Sequence, residues 1–327
     1  MITYKQAGVD IKAGAEAVRR IQKLAKGIGF FAGFYPLGNN YLVGAADGVG
    51  TKLKIAFMLN RHETVGIDLV AMNVDDIVVS GAKPLFFLDY IGCQKVNPAQ
   101  IEKIIKGILA GCKMAECELM GGETAELSDM YHAGEYDLAG FAVGVVDRKK
   151  VINGAKIRAG DKIIGLASSG LHSNGYTLAR KVLIDHSKLK LEDYIEELDK
   201  KLGEELITPT KIYTPLILKL IRRYHIKGMA HITGGGIPEN LARILPKKTQ
   251  AVIDLNSWPI LSIFKLIQKL GKVDQGEMYK TFNMGVGMIL VVEAKQANAV
   301  FKFLAKEKQK AYLIGEIGKG KQEVIII

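Results

Sequence analysis

An acidic residue in the first half of the chain stands where it could bind a metal ion. Asp47 comes directly after a predicted strand and opens the segment DGVGTK. Gly48 and Gly50 allow the backbone to approach a phosphate closely, the carboxylate can hold Mg²⁺, and Lys52 can neutralise a phosphoryl oxygen. A hairpin turn with Asp-Gly at its apex is the alternative interpretation.

More carboxylates occur on a helix predicted at residues 66–80, whose apolar side chains cover nearly every side. Such a helix is buried, yet it carries Asp68, Asp75 and Asp76. At about 100° per residue, Asp68 and Asp75 share one side and Asp76 lies on another. Because a buried carboxylate needs a metal or a paired charge, we assign Asp76 to Mg²⁺. A salt bridge to a neighbouring lysine is the alternative.

The segment GGETAE, residues 121–126, follows another predicted strand. Its Gly-Gly pair, the carboxylate of Glu123 and the hydroxyl of Thr124 suit a metal–phosphate site. They equally suit a turn that leads to a helix capped by Thr124. The residues alone leave both interpretations open.

Two glycine-rich loops in the second half carry histidines. SSGLHSNG, residues 168–175, joins a predicted strand to a helix, and its hydroxyls, amide and backbone N–H groups make an anion site. His172 is the titratable group of this loop. His231 opens the segment HITGGG before another predicted helix. Each histidine could contact a phosphoryl oxygen or move a proton, and a structural role is the alternative.

Around these loops, buried strands alternate with amphipathic helices in both halves of the sequence, which predicts two α/β domains. One of these predicted helices is long and covers residues 211–225. The segment 147–160 is polar and turn-rich, as is typical of a domain boundary. We therefore predict an N-terminal domain at residues 1–149 that carries the candidate metal–phosphate site and a C-terminal α/β domain at residues 150–327 that supplies the glycine-rich loops with the histidines.

Composition limits the class of partner. The net charge is +11, but only nine of the 45 basic residues are arginine, and many lysines stand beside glutamates on predicted helices. Nucleic-acid readers and phosphate clamps favour arginine for its bidentate geometry. We therefore expect no nucleic-acid partner, and interpret the excess of lysine as a solvated surface that attracts anionic substrates.

No targeting or membrane segment is apparent, so we expect a soluble, cytoplasmic protein. Residues 27–46 carry no charge, but they include five glycines and Pro36, which would leave backbone groups unsatisfied in lipid. A glycine-rich loop is the better interpretation. The three cysteines have no disulfide or zinc spacing.

Together these segments resemble a known family. Nine motifs occur in the order and spacing of the phosphoribosylformylglycinamidine cyclo-ligases, also called aminoimidazole ribonucleotide synthetases, from Tyr4 to about Ile317. The motifs are YKQAGVDI, DGVGTK, GIDLVAMNVDD, GAKPLFFLDY, GGETAE, YDLAGFAVGVV, SSGLHSNGY, HITGGGIPEN and EMYKTFNMGVGM.

The resemblance implies an ATP- and Mg²⁺-dependent ring closure in purine biosynthesis. ATP phosphorylates the formamide oxygen of formylglycinamidine ribonucleotide, and an amidine nitrogen then expels phosphate to give 5-aminoimidazole ribonucleotide. It also implies a two-domain ATP-binding synthetase fold and a homodimer in which the N-terminal mixed sheets pair into a barrel. From its five glycines, we expect the uncharged loop at residues 27–46 to act as a mobile lid over ATP.

Residue by residue, Asp47 and Asp76 match the family's acidic positions at the nucleotide–metal site, and His172 and His231 match its active-site histidines. The wider set of expected ligand contacts falls into two groups. ATP or its phosphates would be bound by Gly48, Gly50, Thr51, Lys52, Glu123 and Thr124. The ribonucleotide phosphate would be bound by Ser169, Ser173, Asn174 and Gly175.

Three departures from the family pattern concern the site. Asp75 stands where the family commonly has asparagine, so it is either a further ligand or a partner for a lysine. Ser128-Asp129 replaces a common Pro-Gly, and Gln22 aligns with a family lysine. Two alternatives to cyclo-ligase activity remain at this point. One is a related small-molecule kinase of the same superfamily, and the other is a non-catalytic nucleotide-binding scaffold.

Overall fold

A computed structural model describes residues 2–25 and 30–327. The helices are α1 (Ile11–Leu24), α2 (Leu53–Leu59), α3 (Glu63–Val78), α4 (Pro98–Ala115), α5 (Tyr176–Arg180), α6 (Leu202–Leu206), α7 (Thr214–Ile221), α8 (Gly236–Ala242), α9 (Ser262–Gly271), α10 (Gln275–Thr281) and α11 (Ala294–Lys306). The strands are β1 (Gly33–Leu37), β2 (Asn40–Gly48), β3 (Lys83–Cys93), β4 (Glu118–Glu126), β5 (Tyr136–Asp147), β6 (Lys162–Ala167), β7 (Tyr194–Ile195), β8 (Lys200–Lys201), β9 (Ile226–His231), β10 (Thr249–Ile253), β11 (Val286–Val292), β12 (Ala311–Lys319) and β13 (Glu323–Ile326).

The first half forms a five-stranded sheet in the order β1-β2-β5-β3-β4. The pair β3–β4 is parallel and the other pairs are antiparallel. Helix α3 packs on one face of this sheet, and Asn73 and Ile77 fill the space above the glycines of β5. The opposite face is exposed. The sheet therefore presents one buried and one open surface.

Glycines set the close packing of α3 against α4. A Cβ at Gly107 would lie 1.8 Å from the carbonyl oxygen of Glu63, and one at Gly66 would lie 2.5 Å from that of Ile104. Since no side chain fits at these distances, the two backbones touch directly. Helix α4 begins at Pro98, where the Asn97 side chain accepts the N–H groups of residues 99 and 100. This packing fixes the position of α3 and of its carboxylates.

The second half forms a six-stranded sheet in the order β13-β10-β12-β6-β11-β9. The pair β10–β13 is parallel, while the remaining neighbours are antiparallel. Strand β11 is buried at every position, as a continuous apolar run predicts. The two α/β units predicted from the alternating pattern are therefore present, and the first sheet ends at Asp147 while the second begins at Lys162. The exact boundary at 149/150 stays a prediction.

The structure differs from three local expectations. Most of the predicted loop at residues 27–46 is the hairpin β1–β2, while its first three residues lie outside the described part of the chain, so its lid role stays a prediction. The GGETAE segment continues β4 to Glu126, so the helix capped by Thr124 is wrong. The helix expected over 211–225 begins only at Thr214 and ends at Ile221.

None of the helices in the two described ranges combines the length and the apolar character that crossing a bilayer requires.

Candidate functional site

Asp47 lies at the end of β2, on the face of the sheet that α3 covers. The backbone N–H of Gly48 donates to its Oδ1 at 2.7 Å. Burial raises the pKa of the Asp47 carboxyl to about 6, and the nearby charge of Asp76 adds to the shift. The two carboxylates that the sequence assigned to one metal site therefore lie within electrostatic reach of each other, and neither accepts a hydrogen bond from a lysine among the described residues.

Asp76 also connects the two halves of the chain. Its Oδ1 lies 2.8 Å from Nδ1 of His231, the last residue of β9. Burial opposes a charge on His231, but the hydrogen bond and the charge of Asp76 outweigh it, so the pKa of this imidazole is raised. With Nδ1–H donating to the carboxylate, Nε2 is the nitrogen that can gain or lose a proton.

The pKa of the His172 imidazole is shifted in the opposite direction. Its buried ring has a pKa well below the usual value because of burial first, and then because of the charges of His231 and Lys52. The backbone N–H of Ser169 donates to its Nε2 at 3.2 Å. A neutral imidazole that accepts at Nε2 carries its proton on Nδ1, so His172 presents an N–H donor.

Several buried polar atoms near these histidines lack a partner within the described residues: Nδ1 of His172, Nε2 of His231 and Nδ2 of Asn174. The Asn174 side chain also lies beside Gly234 of the HITGGG loop, since a Cβ at Gly234 would be 3.5 Å from Asn174 Oδ1. The two glycine-rich loops therefore meet, and unsatisfied buried groups of this kind indicate the position of a ligand or of ordered water.

Gly287 provides the space in which His172 lies. A Cβ at this position would be 2.5 Å from Cε1 of His172 and 2.2 Å from the hydroxyl of Tyr213. That hydroxyl donates to the carbonyl of Ala167 and is not free to move away. A side chain at 287 must therefore displace the imidazole.

We expect Gly287→Ala to cost about 1–3 kcal/mol of folding free energy through overpacking, and to lower kcat because His172 shifts. Urea denaturation and steady-state kinetics measure the two effects. Gly318→Ala is the matched control, since its Cβ would meet nothing closer than 3.5 Å. Normal stability and turnover in the Gly287 variant would contradict this account.

Lys52, an expected phosphate contact, points into the protein interior. Its side chain is fully buried, and its ammonium donates to Asp68 Oδ1, to the carbonyl of His172 and to the carbonyl of Thr208. An ammonium has three donors, and all three are used. The expected phosphate contact of Lys52 is therefore wrong in this structure, because its side chain turns into the junction between the halves.

Two expected ligands of the ribonucleotide phosphate are also engaged elsewhere. The hydroxyl of Ser173 is buried against that of Thr210 at 3.0 Å, and the hydroxyl of Ser169 donates to the carbonyl of Pro209 at 2.7 Å. Ser173 therefore has no free side chain for a phosphate. Asn174 and Gly175, at the start of α5, stay predicted phosphate contacts.

The expected nucleotide contacts divide between two places. Thr51 is exposed and lies 2.8 Å, hydroxyl to hydroxyl, from Thr177, next to the exposed Gly50. Glu123 is the β4 partner of Tyr90 in the sheet. Because side chains alternate between the two faces along each strand, Glu123 lies on the face opposite Asp47. The structure thus does not bring Glu123 to the acidic pair. The roles of Gly48, Gly50, Thr51 and Thr124 stay predictions.

Comparison with known proteins identifies the family. The family models described as "AIR synthase related protein, N-terminal domain" and "AIR synthase related protein, C-terminal domain" match residues 31–146 and 158–327. The phosphoribosylformylglycinamidine cyclo-ligase of Bacillus cytotoxicus is 53% identical over 97% of this chain and 95% of its own. That of Thermodesulfovibrio yellowstonii is 53% identical over 100% and 99%.

The chain belongs to the phosphoribosylformylglycinamidine cyclo-ligase family.

Solved structures of more distant proteins share the fold of this cyclo-ligase family member. A thiamine-monophosphate kinase from Stenotrophomonas maltophilia superposes with a TM-score of 0.67 at 21% identity, over 94% of this chain and 93% of its own. A HypE–HypF complex gives a TM-score of 0.68 at 20% identity, over 96% and 95%. At such identities the likeness concerns architecture, and it confirms the expected two-domain fold class.

Asp75, which departs from the common cyclo-ligase pattern, has its carboxylate bonded within the protein, and no lysine in the described part of the chain pairs with it. It is fully buried and accepts the backbone N–H groups of Tyr213 and Thr214, together with the hydroxyl of Thr214. Asp68, two turns earlier, accepts the N–H and hydroxyl of Thr210. The side of α3 that these two acids share therefore binds the segment before α7.

The residues at Asp47 and Asp76 fit a magnesium ion that also binds phosphate. Oxygen ligands are those that Mg²⁺ prefers, and it usually takes one or two carboxylates and completes its shell with substrate phosphates and water. Two half-buried carboxylates that repel each other are a place where a cation is stabilising. Within the described ranges, no set of three or more acidic, histidine or cysteine side chains forms a closed metal site.

Proposed function

We propose that this chain converts formylglycinamidine ribonucleotide and ATP into 5-aminoimidazole ribonucleotide, ADP and phosphate. The observation that carries the proposal is the meeting of Asp47, Asp76, His172 and His231 at the junction of the two halves. Family membership supports the same reaction. A related structure of the same fold is described as AaThiL complexed with AMPPCP and TMP, and we extend nucleotide binding to this chain.

The reaction has two steps. The formamide oxygen attacks the γ-phosphorus of ATP, and the bond from that phosphorus to the bridging oxygen breaks to release ADP. The amidine nitrogen then attacks the activated carbon, loses a proton, and the carbon–oxygen bond breaks to release phosphate. Alignment of the two substrates and neutralisation of phosphoryl charge are the main physical requirements.

The two histidines suit different parts of this sequence. His172 is neutral, with a proton on Nδ1 that can donate to the formamide or phosphoryl oxygen. His231 can take the amidine proton at Nε2 and be stabilised as imidazolium by Asp76. Mg²⁺, when held by Asp47 and Asp76, would neutralise charge on the transferred phosphoryl group. We also propose a cytoplasmic location, where the purine nucleotide substrates are found.

The test is a reaction of purified protein with ATP, Mg²⁺ and formylglycinamidine ribonucleotide, with detection of the aromatic amine of the product. Free phosphate is measured in the same samples. We expect one phosphate and one amine per ATP, and no phosphate release without the ribonucleotide. A stable phosphorylated substrate would instead indicate a kinase, and nucleotide binding without turnover would indicate a scaffold.

The open face of the first sheet supports the proposal of a homodimer. Large apolar side chains are exposed on this sheet: Tyr35, Leu37, Tyr90, Met120 and Phe141. Several large apolar side chains exposed on one sheet are typical of a protein interface. We propose that two copies pair through this face, as the barrel expected from the family resemblance requires.

We expect Phe141→Asp to raise the dissociation constant of the dimer by about 30-fold or more, which is the effect of losing a central interface anchor. Light scattering after size exclusion should show a shift toward the 35.7 kDa monomer. Leu313→Asp is the control, because Leu313 is 48% exposed, compared with 43% for Phe141, but lies on the other sheet. Wild-type mass in the Phe141 variant would refute this choice of interface.

A further inference from the structure

Lys52 is a buried charge that the proposed chemistry does not use. Its Nζ lies 2.8 Å from Asp68 Oδ1, 3.0 Å from the carbonyl of His172 and 2.6 Å from the carbonyl of Thr208. Asp68 is on α3 in the first half, whereas both carbonyls belong to the second. One side chain thus fixes the position of the SGLHSNG loop relative to α3.

The bonds continue into a closed ring. Asp68 Oδ1 also accepts the N–H of Thr210 at 2.7 Å and its hydroxyl at 2.6 Å. Because that hydroxyl donates to Asp68, it accepts from the hydroxyl of Ser173, which lies 3.0 Å away. Ser173 follows His172 directly, so the ring returns to the residue whose carbonyl Lys52 binds.

The backbone of His172 needs such support. Its φ is +62°, a left-handed conformation that is unfavourable for residues other than glycine and persists only when surrounding contacts hold it. The conformation determines where Nδ1 points, and the bond from Lys52 to the carbonyl of His172 acts directly on that peptide unit.

We propose that Lys52 is a positioning residue for catalysis: with Asp68, Thr210 and Ser173 it holds the peptide of His172 so that the imidazole Nδ1–H meets the reacting oxygen. This inference rests on the proposed function, because it assigns His172 to the reaction. It predicts that loss of the Lys52 bond slows the chemical step and leaves ATP binding nearly unchanged.

The test removes both charges together, so that no unpaired ion stays buried. In the double variant Lys52→Met/Asp68→Asn, we expect kcat to fall by about 10- to 100-fold, the effect of misplacing a reacting group by about 1 Å. The KM for ATP should stay within about twofold of wild type, since a positioning group acts on the chemical step more than on ground-state binding. If Lys52 served only to neutralise Asp68, the double variant would turn over normally, and that result would overturn the proposal.

A second buried pair gives the matched control. Lys227 and Asp161 are 2.6 Å apart and almost fully buried, but their atoms do not bond to the His172 loop among the described residues. Lys227→Met/Asp161→Asn should keep wild-type kcat. An equal loss of kcat in this control would show that any buried pair matters as much, and would overturn the specific role of Lys52.

A milder variant covers the case in which the double variant does not fold. Thr210→Val keeps the shape and both charges but removes the hydroxyl between Asp68 and Ser173. We expect kcat to fall about fivefold, as for one lost hydrogen bond, with unchanged KM for ATP. Unchanged kcat would contradict the ring of hydrogen bonds.

Turnover of the wild-type protein in the same assay tests the proposed function separately, because the inference concerns only the ratio of the variant kcat to the wild-type kcat.

Discussion

Replacing Asp76 with asparagine is expected to lower kcat by about 10³-fold or more, because it removes a group that stabilises charge at the reacting centre. Asparagine has the same size and its Oδ1 can still accept from Nδ1 of His231, so packing is preserved. The substitution removes the negative charge of Asp76. In the wild type this charge raises the pKa of His231, and we propose that it also binds Mg²⁺. Steady-state kinetics and a thermal melt with and without Mg²⁺-ATP measure the two consequences.

The neighbouring acid provides the control for Asp76. Asp75 is also an aspartate, but its carboxylate accepts the backbone N–H groups of Tyr213 and Thr214 and its side chain is fully buried. Asp75→Asn should lose about 1–3 kcal/mol of stability and keep most of its turnover. Asp76→Asn should show the reverse, with near-normal stability and almost no turnover. Normal activity in Asp76→Asn would remove the metal assignment.

The contrast between these two acids shows what the sequence can and cannot reveal. Helical spacing correctly placed Asp68 and Asp75 on one side of α3 and Asp76 on another, because 100° per residue is a local property. Their partners are not local. Asp68 binds Thr210, which is 142 residues away, and Asp75 binds residue 213, which is 138 away. No pattern within α3 indicates which residue of the second half approaches it.

The same limit explains the error at Lys52. The motif DGVGTK specifies a lysine beside glycines, and this composition is typical of phosphate binding. The direction of the side chain is decided by what lies beneath the loop, here Asp68 and two carbonyls. Family membership and the two-domain fold were predictable because they depend on nine ordered motifs and on alternating strands and helices, and the comparisons confirm both.

The helix expected at residues 211–225 is present but shorter than predicted, for a related reason. Its apolar spacing is helical, but Asp75 takes the N–H groups of residues 213 and 214 at the start of α7. Proline at position 215 then suits the first turn of a helix. Thr210, directly before the expected helix, binds Asp68. A tertiary contact therefore decided where the helix begins.

Removal of the His172 imidazole is the second change with a large expected effect. We expect His172→Ala to lower kcat by about 10²- to 10³-fold, the range for loss of one donor to a developing oxyanion. The ring is neutral and its Nδ1–H has no partner within the described residues, so its hydrogen bond is available to the substrate. Size exclusion should show the same oligomeric state as wild type.

A second substitution at this position separates the imidazole from the backbone. Alanine is unfavourable at the φ of +62° found for His172, whereas asparagine tolerates left-handed geometry and can offer an Nδ2–H near the former Nδ1. His172→Asn should therefore recover part of the lost kcat. If donation at Nδ1 matters, recovery appears in kcat for ring closure at a nearly constant KM for ATP. If alanine and asparagine both turn over like wild type, His172 has no part in the reaction; if both are equally slow although folded, the donor must be an imidazole and an amide cannot replace it.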